Sequence, residues 1–330
     1  MTDRDKAPES SEGSRLTVML LAAAALAWTA AMLWSARVTI TGRANAEMEV
    51  TSTAYALPGA VSADLVAGAA VALLVLTLIG SRRTLGATVR FAVATGAGLL
   101  VGVLSAVTMI TINTAGSLYA IVGGTVAAAA TIGGALAGFR IPRVITAAVA
   151  ASVGVFVLGF VLNLFQSPVL DLLGADDTAS SANAAQWFSY GQAALSGLAA
   201  GLIAYFLLRK AEVKWPFYTL AGAGPGLVVV IGEILSRTAG AEVLELAGKV
   251  SPLDQLAQQI LSTARLNSGL VVLFVGAMTA MLAVGRTLSP TDEDETEAAT
   301  EQKATEKDEP EENEGQVSSS SSETAYHSNS

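Results

Sequence analysis

Eight runs of mostly apolar residues, each about as long as a membrane-spanning helix, constrain the fold of this chain more than any other feature. A helix of roughly 20 residues crosses about 30 Å of hydrocarbon. Over the whole chain 52% of residues are hydrophobic and only 14% are charged. The sequence therefore predicts an all-α, polytopic membrane helix bundle. The eight predicted spans are residues 16 to 36, 62 to 80, 90 to 112, 117 to 139, 143 to 165, 187 to 208, 216 to 236 and 267 to 286.

The acidic charge of the chain is concentrated at its C-terminal end. Residues 288 to 330 hold 13 of the 28 acidic residues but only two of the 19 Lys and Arg, which leaves 15 acidic and 17 basic residues in the rest. This end also lacks the apolar residues that offset the entropy of ordering. We therefore predict a disordered cytoplasmic N-terminus over 1 to 14, a transmembrane domain over 15 to 287, and a disordered acidic cytoplasmic tail over 288 to 330.

The basic residues predict the orientation of the bundle. Lys and Arg in short connections are retained on the cytoplasmic side of a membrane. If the N-terminus is inside, twelve Lys and Arg flank the spans on the cytoplasmic side and five on the outer side. We therefore predict a multi-pass protein of the plasma (inner) membrane with both termini in the cytoplasm and the lipid bilayer around it.

Three outer connections are long enough to contain structure of their own. Residues 37 to 56 hold two β-favouring stretches around a glycine, which predicts a small hairpin. Residues 167 to 186 begin SPVLDLL and predict a short interfacial helix. Residues 251 to 266 carry apolar residues at helical spacing on one face, which predicts an amphipathic helix on the membrane or over the bundle.

Small residues and one proline characterise several spans. The fourth span is rich in glycine, and GxxxG spacing recurs in spans three, four and six. Small residues allow close helix packing in membranes, and a sliding surface for alternating access is the alternative. In span seven, Pro225 removes a backbone donor among three glycines. We predict a helix break at Pro225, which is either a hinge facing a substrate or a static packing kink.

Polar side chains inside the spans define a candidate substrate site. With the orientation above they fall toward the outer ends of six helices, where they could converge on a cavity open to the outside. The alternative is that polar residues collect near interfaces without forming a site, and Asp64 could simply cap its helix. The six candidates are Asp64, Asn113, Asn163, Gln192, Glu233 and Asn267.

Glu233 is the strongest of these candidates because it lies four residues before Arg237. Side chains at this spacing meet on one face of a helix. The pair could close the outer end of span seven. Alternatively, Glu233 faces inward and binds a cation or titrates, and Arg237 tunes its charge.

The motif content favours a non-enzymatic function. The chain has no cysteine, its single histidine is His327 in the tail, and no HExxH, GxSxG or Walker motif occurs. We expect no catalytic residue, metal or cofactor, apart from a residual possibility of an intramembrane lipid-modifying enzyme. Nucleic acid is not an expected partner. The favoured function is transport of a small or amphiphilic substrate, and the alternative is an accessory subunit of a cell-envelope complex that binds other membrane proteins.

Overall fold

The computed structural model describes residues 9–41, 46–80, 86–112, 117–172, 178–211, 213–250 and 252–286. All regular structure within these ranges is helical, which confirms the predicted all-α bundle. The predicted tail over 288 to 330 and residues 1 to 8 lie outside the described ranges. The helices are α1 (Glu9–Thr41), α2 (Ala46–Gly80), α3 (Ala87–Ile110), α4 (Ser117–Ala137), α5 (Pro142–Leu164), α6 (Gln166–Leu172), α7 (Thr178–Leu208), α8 (Trp215–Thr238), α9 (Ala241–Val250) and α10 (Pro252–Gly285).

Eight of these helices are long and apolar enough to cross a membrane: α1 to α5, α7, α8 and α10. Their number agrees with the eight predicted spans. Several are longer than a bilayer requires, because the 34 residues of α10 rise roughly 50 Å at about 1.5 Å per residue. Such a helix extends well beyond about 30 Å of hydrocarbon.

The two ends of the bundle differ in charge. One end of the bundle, which we call the basic end, holds the first residues of α1, α3, α5 and α8. It also holds the last residues of α2, α4, α7 and α10. Its described cations are Arg15, Arg90, Arg140, Arg143, Arg209, Lys210, Lys214 and Arg286. We call the other the distal end, which carries α6, α9 and the long connections.

The predicted hairpin over residues 37 to 56 is wrong. Residues 37–41 complete α1 and residues 46–56 begin α2, so every described residue of this stretch is helical. Burial explains the difference: Ile40, Ala54 and Leu57 pack in one apolar cluster with Val243 of α9. Tertiary packing of this kind overrides the weak β preference of Val and Thr.

The segment predicted as a separate amphipathic helix is the first part of α10. Residues 252 to 266 continue without interruption into the eighth span. Their apolar residues point outward, since Leu253, Leu256 and Ile260 are exposed, while Gln258 on another face is buried. The short helix predicted after span five is present as α6.

The eight long helices pack as two groups of four. One group contains α1 to α4, and the other contains α5, α7, α8 and α10. The two groups meet along a boundary where α2 packs against α5 and α8, and α1 packs against α5. We call this boundary the seam.

Glycines allow the closest helix contacts. A Cβ atom on Gly133 of α4 would collide with the carbonyl oxygen of Leu65 in α2, and one on Gly222 of α8 would collide with the carbonyl oxygen of Gly276 in α10. Packing is therefore a role of these small residues. Helix α8 is continuous from Trp215 to Thr238, so it is not interrupted at Pro225, while the predicted kink there stays a prediction. Gly222 and Gly226 on either side of Pro225 lie against α10, which holds this part of α8 in place.

Candidate functional site

A polar cavity of about 460 Å³ lies at the distal end, where the last turns of α8 meet the first half of α10. Pro58 of α2 and two residues of α9 complete its wall, so the cavity lies on the seam. Charged, amide and hydroxyl side chains form most of the lining, which is unusual for a region this close to the hydrocarbon. The lining residues are Pro58, Glu233, Ser236, Arg237, Leu244, Glu245, Gln255, Gln258, Gln259, Ser262, Thr263 and Arg265.

Glu233 is the buried centre of this cavity wall. Its side chain is 2% exposed, and it is held by three donors from two helices. Arg237 of α8 donates from Nε to Oε1 at 3.1 Å, and Arg265 of α10 donates from Nε to Oε2 at 2.9 Å. Ser262 also donates its hydroxyl to Oε1. Charge-assisted bonds of this kind are stronger than neutral ones, so the cluster joins α8 firmly to α10.

The two arginines keep part of their binding capacity. Each uses Nε to reach Glu233, which leaves the two terminal nitrogens of each guanidinium for other partners. Among the described residues, those nitrogens make no hydrogen bond. The side chains are 41% exposed for Arg237 and 30% for Arg265, so both reach the cavity. Glu233 therefore orients two cations rather than offering a free carboxylate.

Gln258 adds an unused amide to the same wall. The residue is 6% exposed, yet neither its side-chain oxygen nor its side-chain nitrogen has a hydrogen-bond partner. A buried amide without a partner is energetically costly and calls for a specific explanation. A ligand in the cavity would supply the missing donor and acceptor.

This arrangement suits an anionic group. Guanidinium groups bind carboxylate and phosphate oxygens through two parallel N–H bonds. A metal is a poorer fit, because the carboxylate of Glu233 is already occupied. No group of three or more His, Asp or Glu side chains lies together among the described residues.

Asp64 lies in a different environment. It is fully buried in α2 and accepts one hydrogen bond, from Ser105 Oγ of α3 at 2.5 Å, while its Oδ2 has no partner. The idea that Asp64 caps its helix is wrong, because α2 begins at Ala46. Asp64 faces α3, whereas Ser62 on the same helix lies against Gly232 of α8. Asp64 and Glu233 therefore belong to separate sites.

The remaining candidates lie along α5, α7 and α10. Asn163 and Gln192 line one cavity of about 470 Å³, and Gln192 Nε2 donates to the carbonyl oxygen of Gly159 at 3.3 Å. Asn267 lines a neighbouring cavity of about 650 Å³. Asn113 lies outside the described residues.

These cavities are neighbours although the candidate residues do not meet in one place. The cavity of Asn267 shares Gln259 and Thr263 with the Glu233 cavity, and it shares Ser189 and Ser268 with the cavity of Asn163 and Gln192. A discontinuous polar lining thus follows α10 at the distal end. Asp64 is not part of it.

Sequence reasoning missed three components of the Glu233 cavity: Gln258, Ser262 and Arg265. A signal was present, because these residues recur at helical spacing on the polar face of residues 251 to 266. The sequence predicted a helix on the membrane or over the bundle and assigned no role to that face. The structure encloses that polar face in the cavity wall and leaves the apolar face of the same segment exposed.

Comparison of the chain with protein-family models, curated proteins and solved structures finds no match. The functional interpretation therefore depends on the geometry alone.

Proposed function

We propose that this multi-pass membrane protein binds a small or amphiphilic substrate through an anionic group and moves it through the membrane. The observation that supports this proposal is the pair Arg237 and Arg265, held by buried Glu233 beside the unpartnered amide of Gln258. In this proposal the distal end faces the outside of the cell, as the distribution of Lys and Arg predicts.

The position of the cavity favours movement over binding alone. The Glu233 cavity lies on the seam at the distal end, and a second cavity lined by residues of both helix groups lies at the basic end. In many transporters two helix bundles rock against each other around a site on their interface. A substrate bound at the seam would be exposed to alternate sides by such a motion.

The test uses purified protein reconstituted into phosphatidylcholine vesicles with two probes. The first is fluorescent phosphatidylglycerol, whose transfer between leaflets is read by dithionite quenching, and the second is radiolabelled inorganic phosphate. We expect the protein to accelerate movement of one probe. The double variant Arg237→Gln, Arg265→Gln should reduce that rate about tenfold or more, since a charge-assisted bond contributes about 1.5–3 kcal/mol.

Lys249→Gln is the matched control. Lys249 is also a cation at the distal end, but it is exposed and paired with Glu245 at 2.8 Å. Its substitution should leave the rate within about twofold of wild type, because exposed ion pairs contribute little. Both probes moving at the protein-free rate with wild-type protein would exclude movement of these substrate classes, and equal loss in the control would exclude a specific role for the arginine pair.

The second candidate function, an accessory subunit, is favoured by the exposed apolar face of α10. Leu253, Leu256 and Ile260 are 78%, 55% and 61% exposed. If α10 enters the hydrocarbon near Gly285, these residues lie roughly 38–48 Å along the helix, beyond the thickness of about 30 Å. An apolar face in water is typical of a protein-binding surface.

Photo-crosslinking in native membranes tests this alternative. A photoreactive residue at Ile260 should give one defined protein adduct if a partner covers the face. The same residue at Leu100, an exposed position within α3, serves as the lipid-facing control. Adducts with lipid alone at both positions would exclude the accessory function.

A further inference from the structure

A second cavity, of about 550 Å³, lies at the basic end between the two helix groups. Its wall contains residues of α1, α2, α3, α5 and α7, together with the segment after α7. Three of the lining residues are the cations Arg90, Arg143 and Lys210, and aliphatic side chains such as Leu76 and Leu207 adjoin them. The cavity thus combines concentrated positive charge with apolar walls.

Among the side chains that the structure describes, which in α1 begin at Arg15, no carboxylate forms an ion pair with these cations. The acidic side chains that the structure describes lie on α2, α6, α8, α9 and α10, away from the basic end. They are Glu49, Asp64, Asp171, Glu233, Glu242, Glu245 and Asp254. The contrast with the distal cavity is direct, since there each arginine that lines the wall contacts Glu233.

Two further features of the cavity favour an anion. Arg90 donates from Nη2 to the carbonyl oxygen of Phe139 at 2.8 Å, but its buried Nε has no hydrogen-bond partner. In addition α5 begins in the cavity wall at Pro142 and Arg143, and no side chain caps its N-terminus. The helix dipole at such a terminus attracts anions, and here it adds to the three cations.

We propose that this cavity binds a phosphate group. Phosphate presents several acceptor oxygens and a charge that three separate cations can share, whereas a single carboxylate would engage fewer of them. The phosphate group belongs either to the headgroup of an anionic phospholipid or to a soluble phosphate. The apolar wall and the position at the end of the spans suit the phospholipid. This site is independent of the proposed substrate cavity, because the two share no lining residue.

The experiment compares three forms of the full chain purified in the same detergent. They are wild type, the double variant Arg143→Gln, Lys210→Gln, and the control Arg209→Gln. Arg143 and Lys210 are exposed, so their substitution should preserve the fold, whereas Arg90 is retained because it bonds the backbone. Arg209 is next to Lys210 in sequence, but its guanidinium lies 5.2 Å from the ring centre of Phe206.

Native mass spectrometry after addition of phosphatidylglycerol or phosphatidylcholine measures lipid retention. Wild type and Arg209→Gln should retain about tenfold or more phosphatidylglycerol than phosphatidylcholine. The double variant should lose most of this preference, since each cation near a headgroup strengthens binding severalfold. A second arm measures the thermal unfolding midpoint with inorganic phosphate. A rise in wild type and the control, absent in the double variant, would support the site and identify a soluble ligand.

The two arms distinguish a lipid headgroup from a soluble phosphate and from the absence of a site. Retention of phosphatidylglycerol without an effect of inorganic phosphate identifies the lipid headgroup as the ligand. Equal retention by wild type and the double variant would overturn the proposal, as would equal loss in Arg209→Gln, because binding would then reflect general surface charge. No preference in wild type together with no phosphate effect would also overturn it. The variants leave the Glu233 cavity intact, so failure here would not bear on the proposed transport.

Discussion

Glu233 and Asp64 are two carboxyl groups at nearly complete burial whose surroundings differ sharply. Glu233 has three donors from α8 and α10 and lies in the wall of a polar cavity. Asp64 has one donor, Ser105, and one oxygen without a partner. The difference teaches that burial of an acid in a membrane bundle does not by itself identify a binding site. The neighbouring donors and the adjoining space decide it.

The two regions share no hydrogen-bond partner. On α2, Ser62 lies against Gly232 of α8, whereas Asp64, two residues later, accepts a hydrogen bond from Ser105 of α3. We therefore expect substitutions in one region to add to those in the other with little coupling, because sites without shared partners are nearly additive. The stability change caused by a substitution in one region can thus be assigned to that region.

The largest effect is expected from removing both arginines that hold Glu233. The double variant Arg237→Gln, Arg265→Gln leaves a buried carboxylate with Ser262 as its remaining donor. We expect a loss of about 3 kcal/mol in the free energy of unfolding, at the lower end for a broken buried pair because both arginines are partly exposed. Unfolding in detergent followed by tryptophan fluorescence measures the loss.

A third substitution sharpens this prediction. Adding Glu233→Gln to the double variant removes the isolated charge, so stability should recover by about 1–2 kcal/mol. No recovery would mean that packing of the arginine side chains, rather than charge compensation at Glu233, accounts for the loss.

Ser105→Ala should have the next largest effect. It removes the hydrogen bond to Asp64 and leaves a fully buried carboxyl without that donor, so we expect a loss of about 1–2 kcal/mol in the free energy of unfolding. Ser152→Ala is the control, since its hydroxyl bonds only the backbone of its own helix at 2.9 Å. Equal losses in both variants would show that Asp64 has little specific need for Ser105.

Ser262→Ala tests the same loss of a hydroxyl donor at Glu233, which has more hydrogen-bond donors than Asp64. Glu233 keeps both arginines when the hydroxyl of Ser262 is lost, so the destabilisation should be below about 1 kcal/mol and smaller than that of Ser105→Ala. Parallel denaturation of the two variants measures the difference. The reverse order of the two losses would contradict the contrast between the regions.

The bundle was more predictable from sequence than the site. Apolar composition alone sets the spans, so residues 216 to 236 were predicted where α8 runs from Trp215 to Thr238. The contact between Glu233 and Arg237 follows from their i, i+4 spacing on one helix. The contact with Arg265 does not, because it joins residues 32 apart and depends on how α10 packs on Gly222 and Gly226 of α8.

The position of Asp64 was unpredictable for the same reason. Its sequence neighbours suggested the start of a span, but α2 begins at Ala46, 18 residues before Asp64. That extension is stabilised by contacts with α1, α4 and α9 that are remote in sequence. Local patterns identify a polar residue in a span, whereas its partners depend on the tertiary register.

The smallest effect is expected at the Glu245 and Lys249 pair, which is a fully exposed counterpart of the Glu233 cluster. The hydrogen bond and charge of Lys249 lower the pKa of Glu245, and Glu245 raises the pKa of Lys249. A lowered acid pKa gives stability above the ordinary Glu value that is lost as pH falls, and a raised lysine pKa gives stability that is lost as pH rises through it. Because both groups are exposed and screened, Lys249→Gln should leave the unfolding midpoint and its pH profile superimposable on wild type. Thermal unfolding measured from acidic to alkaline pH tests this expectation. A distinct loss of stability in Lys249→Gln at neutral pH would show that α9 depends on the pair. The contrast between exposed and buried ion pairs at the distal end would then be lost.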